Sequence, residues 1–294
     1  MNETITADEP MYFIVDRIRD GKSFASRSVK IKQNDKVIFY ASCSFQKYKE
    51  TPNQLNHQYA MPDVYPVDSA ETIGESALKN SNMMLGDFII DQKVTIMDTL
   101  PVDSRLAIPK DPHLRENFNL GVNSYLEKIE QSEKKLDSTQ IRLPYNYRWI
   151  KIDSSLDVHP SVHICMLAAL SDFRILMTAA LPHFWGYNYN KNTLGMGVSL
   201  DHTLHFHAPV KADSWLLWVV ESPRVSNGRG YVLGRFFDTD GVLVASVVQE
   251  TLLRAQPKLE SAINTLTFNT LPPKIKSFDH ISNSTNSSPT QPKL

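Results

Sequence analysis

Cysteine is nearly absent: Cys43 and Cys165 are the only two in 294 residues, far apart and each set in an apolar segment. That excludes a disulfide-stapled framework and points to a reducing compartment, where free cysteine in such surroundings behaves as a small hydrophobe. An excess of either charge is absent too. Lys plus Arg number 31 against 32 Asp plus Glu, a net charge of -1, so nothing draws the chain to nucleic acid or anionic lipid. No apolar run of bilayer length is free of charge. The longest, Val162 to Leu181, carries Asp172 and Arg174 near its centre, and each would cost about 2.5–3.5 kcal/mol on insertion scales, so no membrane span is expected. The opening MNETITADEP has neither a basic nor an apolar region, so a secretory leader is not expected. A Gly-x-Ser-x-Gly elbow is missing and neither cysteine sits in a catalytic motif, which leaves a covalent serine or cysteine nucleophile unsupported.

The length allows one large domain or two ordinary ones, and two is the expectation. Residues 11 to 47 read as three strands: MYFIVDRI, SFASRSVKI and KVIFYASCSFQ, separated by Asp20-Gly21 and Gln33-Asn34-Asp35. From about 48 to 86 the chain is polar, with Pro52, Pro62 and Pro66, and suggests a surface excursion; Asp87 to Met97 is another strand candidate. Glu116 to Ser138 is charged and partly helical by propensity, most simply a solvated face. A dense unit follows Pro144. It opens with a strand, Tyr147 to Ile152, then a helix from Ser161, its expected N-cap, through an almost wholly apolar sequence that must be buried. Four strand-like segments come next, GMGVSLDHTLHFH, SWLLWVVES, GYVLGRFFD and GVLVASVVQETLL, the last two joined by the hairpin signal Asp238-Thr239-Asp240-Gly241. The last forty or so residues are rich in Ser, Thr, Asn and Pro and read as a disordered tail. A faint internal repeat relates Asn34–Gln46 to Asp240–Gln249, turn to glutamine.

Within these segments, Asp172 lies in the middle of the expected helix with Ala168 and Ala169 one turn back, and residues two apart do not face each other, so Arg174 is not its partner. A carboxylate in so apolar a setting is a candidate general base, its proton affinity raised by desolvation. Strict alternation places Ser199 on one strand face with Asp201, Thr203, His205 and His207. Gln249, expected near the end of a doubly apolar strand, needs buried hydrogen-bond partners. His202, His205 and His207 invite a metal reading, but no short-spaced acidic or cysteine set completes a tetrahedral site.

IRDGKSFASRSV with KVIFYASCSFQ, and LAALSDF, GVSLDHTLHFH, SWLLWVVES and GRGYVLGRFFDTDGVLVASVVQE, together resemble the acyl-CoA thioesterase II family over roughly residues 11 to 47 and 145 to 254. The Leu-Asp-His-Thr-x-x-Phe-His and Asp-Gly-x-Leu-x-Ala-Ser-x-x-Gln-Glu strings are its specific part. The resemblance implies an α+β double hot-dog fold, in which a long helix is cradled by an antiparallel sheet twice over. It also implies hydrolysis of fatty acyl-CoA without metal or cofactor. By motif, the family's catalytic Asp, Ser/Thr and Gln fall on Asp172, Ser199 and Gln249, with Ser199 where many members have threonine. The expected layout is a partial first hot dog at 1–50, its leading strand, helix and second strand missing, and a linker at 51–86. A second hot dog spans 87–255 with an insertion at about 98–145, and a tail covers 256–294. Besides acyl-CoA, candidate partners are a second copy of the chain and a peroxisomal import receptor reading Pro292-Lys293-Leu294, with cytoplasm as the alternative address. Arg229 and Arg235 are the candidates for holding CoA phosphates. The competing functional readings are a non-catalytic acyl-binding or regulatory remnant and a hot-dog dehydratase, the latter disfavoured because no well-placed helical His accompanies Asp172.

Overall fold

The computed structural model describes residues 9–47, 55–68, 91–96, 100–112, 114, 143–183 and 194–255. The chain divides into two compact units between His57 and Gln58. The first is a three-stranded antiparallel sheet, β1 (Tyr12–Asp20), β2 (Phe24–Gln33) and β3 (Lys36–Gln46), in that spatial order. Asn34 and Asp35 both take the left-handed conformation at the β2–β3 turn, with φ of 50° and 59°. That mirror-image turn matches the strand twist, and these two residue types tolerate it best after glycine. Apolar side chains on β1 and β3, among them Phe13, Ile18, Phe39 and Phe45, stay exposed. Cys43 is exposed with them, against its expected burial, because no described element of the first unit covers that strand.

The second unit is built on one sheet in the order β4-β5-β6-β9-β10-β11-β7, with β8 also pairing with β11. The strands are β4 (Asp91–Ile96), β5 (Leu100–Leu106), β6 (Tyr145–Ile152), β7 (Leu194–Ser199), β8 (Thr203–Phe206), β9 (Leu216–Ser226), β10 (Arg229–Phe237) and β11 (Leu243–Ala255). β5 lies where an insertion was expected. It escaped the sequence pattern because two of its buried side chains are polar: Asp103 is 2% and Ser104 0% exposed. Ser104 is engaged by the buried Arg148, whose Nε donates to its Oγ at 2.7 Å.

Helix α1 (Pro160–Ser171) and the short α2 (Ile175–Ala180) lie across one face of this sheet. His159, rather than Ser161, caps α1. Its ring accepts from the Ser161 N–H, and Pro160 occupies the first helical turn, where its missing donor costs nothing. A single helix running past Asp172 was expected. Instead Arg174 turns left-handed, φ 58°, and Trp218 Nε1 donates to the Phe173 carbonyl at 3.2 Å, satisfying an acceptor next to the break. By composition residues 160–180 would suffice to cross a bilayer, yet α1 packs one side on the sheet. Leu167 and Leu170 are fully buried, and each burial contributes about 1.5–3 kcal/mol. Ala168 and Cys165 on the outer side are exposed, so burial is one-sided, not all-round.

The opposite face of the sheet carries Tyr147, Trp149, Leu217, Val219 and Phe237 and needs cover of its own. Residues 58–68, expected as linker, supply it. Val64 buries there, Tyr65 O accepts from Trp149 Nε1 at 3.1 Å, and the Gln58 side chain pairs with Gly241 O and Leu243 N at 2.7 and 3.0 Å. Residues 116–138 and the tail 256–294, with its Pro292-Lys293-Leu294 ending, lie outside the described residues.

Candidate active site

Gln249 stands in the middle of β11, not near its end, directly opposite Val232, which belongs to the core beneath the helices. Side chains of directly opposed residues share a face, so Gln249 points to the helix side. Two residues on, Thr251 faces the same way and is paired with Ser199 of β7. The next recorded pair along β11 is Val248 with Thr203 of β8. Residues 200–202 are therefore set against 249–250, three against two, which is a β-bulge. Leu200 N donates to Glu250 O at 2.8 Å, and the Asp201 carboxylate replaces the lost ladder acceptor by taking the Glu250 N–H at 2.9 Å.

The bulge overturns the alternation expected from Ser199. Leu204, opposite Val247, now faces the helices, while Thr203 and His205 face away, so Ser199 does not share a side with them. The same shift brings His202, in phase with Leu204, to the side of Gln249.

A continuous hydrogen-bonded chain results. Gln249 is 0% exposed. Its Nε2 donates to Ser199 Oγ at 2.9 Å and its Oε1 meets His202 Nδ1 at 2.5 Å. On the other side of the ring, Nε2 lies 2.7 Å from Ser171 Oγ, itself 2.7 Å from Ala168 O. Both ends of the buried amide are thus satisfied, avoiding the roughly 1–3 kcal/mol that an orphaned amide group would cost.

Ser199 and Gln249 are in direct contact. Asp172 stands beside this chain rather than in it. It is the C-cap of α1, immediately after the buried Ser171, and its side chain is exposed, so the deep apolar burial expected of it is absent. The helix ends at Ser171 instead of running on past Asp172, and the cap is open to solvent. Sequence reasoning missed His202 and Ser171 as members of the site.

The remaining candidates point elsewhere. Arg229 and Arg235 lie on the face opposite Gln249, paired with Glu250 at 3.3 Å and Glu221 at 2.9 Å. His207 Nε2 contacts Ser246 Oγ at 2.8 Å, and burial together with neighbouring His205 lowers its proton affinity. On the same outer face, burial and the nearby Tyr145 and Glu221 push the Tyr147 hydroxyl up to about 12.

The family model for acyl-CoA thioesterases matches residues 123–252. Acyl-coenzyme A thioesterase 8 of Rattus norvegicus is 33% identical over 260 residues, covering 86% of this chain and 70% of its own. Peroxisomal acyl-coenzyme A thioester hydrolase 1 of Saccharomyces cerevisiae is 26% identical, covering 80% of this chain and 72% of its own. Among solved structures, acyl-CoA thioesterase II TesB2 from Mycobacterium marinum superposes with a TM-score of 0.57 at 28% identity, covering 87% of this chain and 78% of its own. The helix laid across an antiparallel sheet is the hot-dog arrangement, and with these relatives in view the fold is the α+β double hot-dog. A chain with this sheet, this helix and this degree of identity over most of its length belongs to the acyl-CoA thioesterase family and is a thioester hydrolase.

Proposed function

We propose that the substrate is a fatty acyl-CoA and that Asp172, Ser199 and Gln249 activate the water that cleaves it. The observation that carries this reading is the fully buried Gln249 amide holding the Ser199 hydroxyl at 2.9 Å beside the end of α1. In the reaction, the Asp172 carboxylate takes a proton from water while the water oxygen bonds to the thioester carbonyl carbon. The tetrahedral intermediate then expels CoA thiolate, which recovers the proton from Asp172, leaving free acid and CoA. Ser199 and Gln249 hold the water in line and need neither metal nor covalent intermediate.

Measured thiol release from acyl-CoA by the purified chain tests this. Asp172→Asn and Gln249→Ala should each lower kcat by about 10²-fold or more with the far-UV spectrum retained, the scale for a positioned acid–base or orienting group. Unchanged kcat in both variants sinks the assignment. The address proposed is the peroxisome, on the strength of the yeast relative's printed name. A full-length fluorescent fusion that stays diffuse beside a peroxisomal marker argues for the cytoplasm instead.

A further inference from the structure

We propose that His202 is a positioning residue. It holds the Gln249 amide with its nitrogen turned to Ser199, so that Ser199 receives a hydrogen bond and keeps its own proton to donate into the reacting centre. This rests on the reading that Ser199 and Gln249 act on acyl-CoA, and it fixes a direction which that reading leaves open.

The argument is one of proton counting. The Gln249 oxygen can only accept, so the 2.5 Å contact requires His202 to carry a proton on Nδ1. A neutral ring protonated there must accept at Nε2 from Ser171 Oγ, 2.7 Å away, which then gives up its bond to Ala168 O. If the ring becomes an imidazolium, Nε2 donates to Ser171, which turns its hydroxyl to Ala168 O at 2.7 Å. In both charge states Nδ1–H still points at Gln249. Ser171 therefore absorbs the change in ring charge, and the amide does not turn.

With the amide nitrogen donating to Ser199, the serine oxygen has accepted and its O–H is free. Ser199 thus serves as a donor, stabilising charge on the substrate oxygen or orienting water, and Asp172 remains the group that takes the water's proton. The bulge at residues 200–202 exists in the right place for this. Without its shift of phase His202 would sit on the opposite face from Gln249.

The test combines kinetics with a spectroscopic signature. His202→Ala should lower kcat roughly 10- to 30-fold with KM within about twofold, since orientation rather than binding is lost. His202→Asn, whose amide N–H can take the place of Nδ1–H, should recover kcat to within about threefold of wild type, a rescue that mere packing by the ring would not give. Nitrogen NMR of the histidine rings in the wild-type chain should show His202 protonated on Nδ1.

A neutral ring protonated on Nε2 alone would mean the amide is reversed and Ser199 is its donor, which overturns the proposal. So would His202→Ala at wild-type kcat in a chain whose Asp172→Asn variant is inactive. If His202→Ala fails to fold, Ser171→Ala serves: it removes the Nε2 donor, and the Nδ1–H signature should weaken. An unaltered signature counts against the relay. Should Asp172→Asn leave hydrolysis intact, the functional reading fails by itself, and the NMR signature still decides the role of His202.

Discussion

Gly234→Ala should destabilise the second unit severely, and the reason lies directly above it. A Cβ at this position would stand 2.1 Å from Trp218 Cη2 and 2.5 Å from Cζ3. Ordinary carbon contacts begin near 3.5 Å, so the indole must retreat by roughly 1.4 Å. It has little freedom to do so. Trp218 is 1% exposed, stacks on Phe236 at 3.9 Å between centroids, and donates its Nε1 proton to Phe173 O at 3.2 Å. Overpacking costs about 1–3 kcal/mol, and loss of the bond to a carbonyl in the core adds on the order of 1 kcal/mol. The expected total of about 3 kcal/mol corresponds to a fall in Tm of roughly 6–12 °C for a unit of this size. Because Phe173 follows Asp172, kcat should fall as well.

Thermal and urea unfolding followed by circular dichroism measure the stability change, and Trp218→Phe supplies the control. The smaller ring removes the clashing edge, so the double variant should be more stable than the sum of the two single changes by at least about 1 kcal/mol, the coupling expected of residues in contact. A Gly234→Ala protein melting within about 2 °C of wild type, or strictly additive changes in the cycle, would refute the argument.

Ser199→Thr should keep kcat within about threefold because the hydroxyl survives, whereas Ser199→Ala should lose roughly 10- to 100-fold, both read by thiol release. Gln58→Ala removes the two bonds that tie residues 58–68 to Gly241 and Leu243, so Tm should drop by roughly 2–4 °C, about 1 kcal/mol, with kcat unchanged. Tyr147 binds its proton more tightly folded than unfolded, its pKa raised from 10.0 to about 12. Its contribution is therefore complete below pH 10 and is lost as the pH rises towards 12. Alkaline unfolding should set in over that window and move upward in Tyr147→Phe, as followed by tryptophan fluorescence.

Apolar, β-branched stretches, with alternation in β2, located β1, β2 and β3, and the turn residues Asn34-Asp35 and Asp238 to Gly241 located the hairpins, because these are local choices of backbone conformation. Motif resemblance brought Ser199 and Gln249 to attention, and their contact is what the folded chain displays. Other features depended on distant partners. β5 hides polar residues that find partners only in the fold, Ser104 on the buried Arg148 and Asp103 on Arg105, so its pattern did not read as a strand. Residues 58–68 cover a sheet face whose apolar side chains come from β6, β9 and β10. The helix ends at Ser171, beside a carbonyl that Trp218 of β9 engages, leaving Asp172 exposed where an apolar run implied burial. Above all, the bulge at residues 200–202 arises from how two short strands share one long partner. One extra residue there reverses every side-chain direction beyond it. A period read along β7 and β8 cannot reveal that reversal, and it alone puts His202 on Gln249.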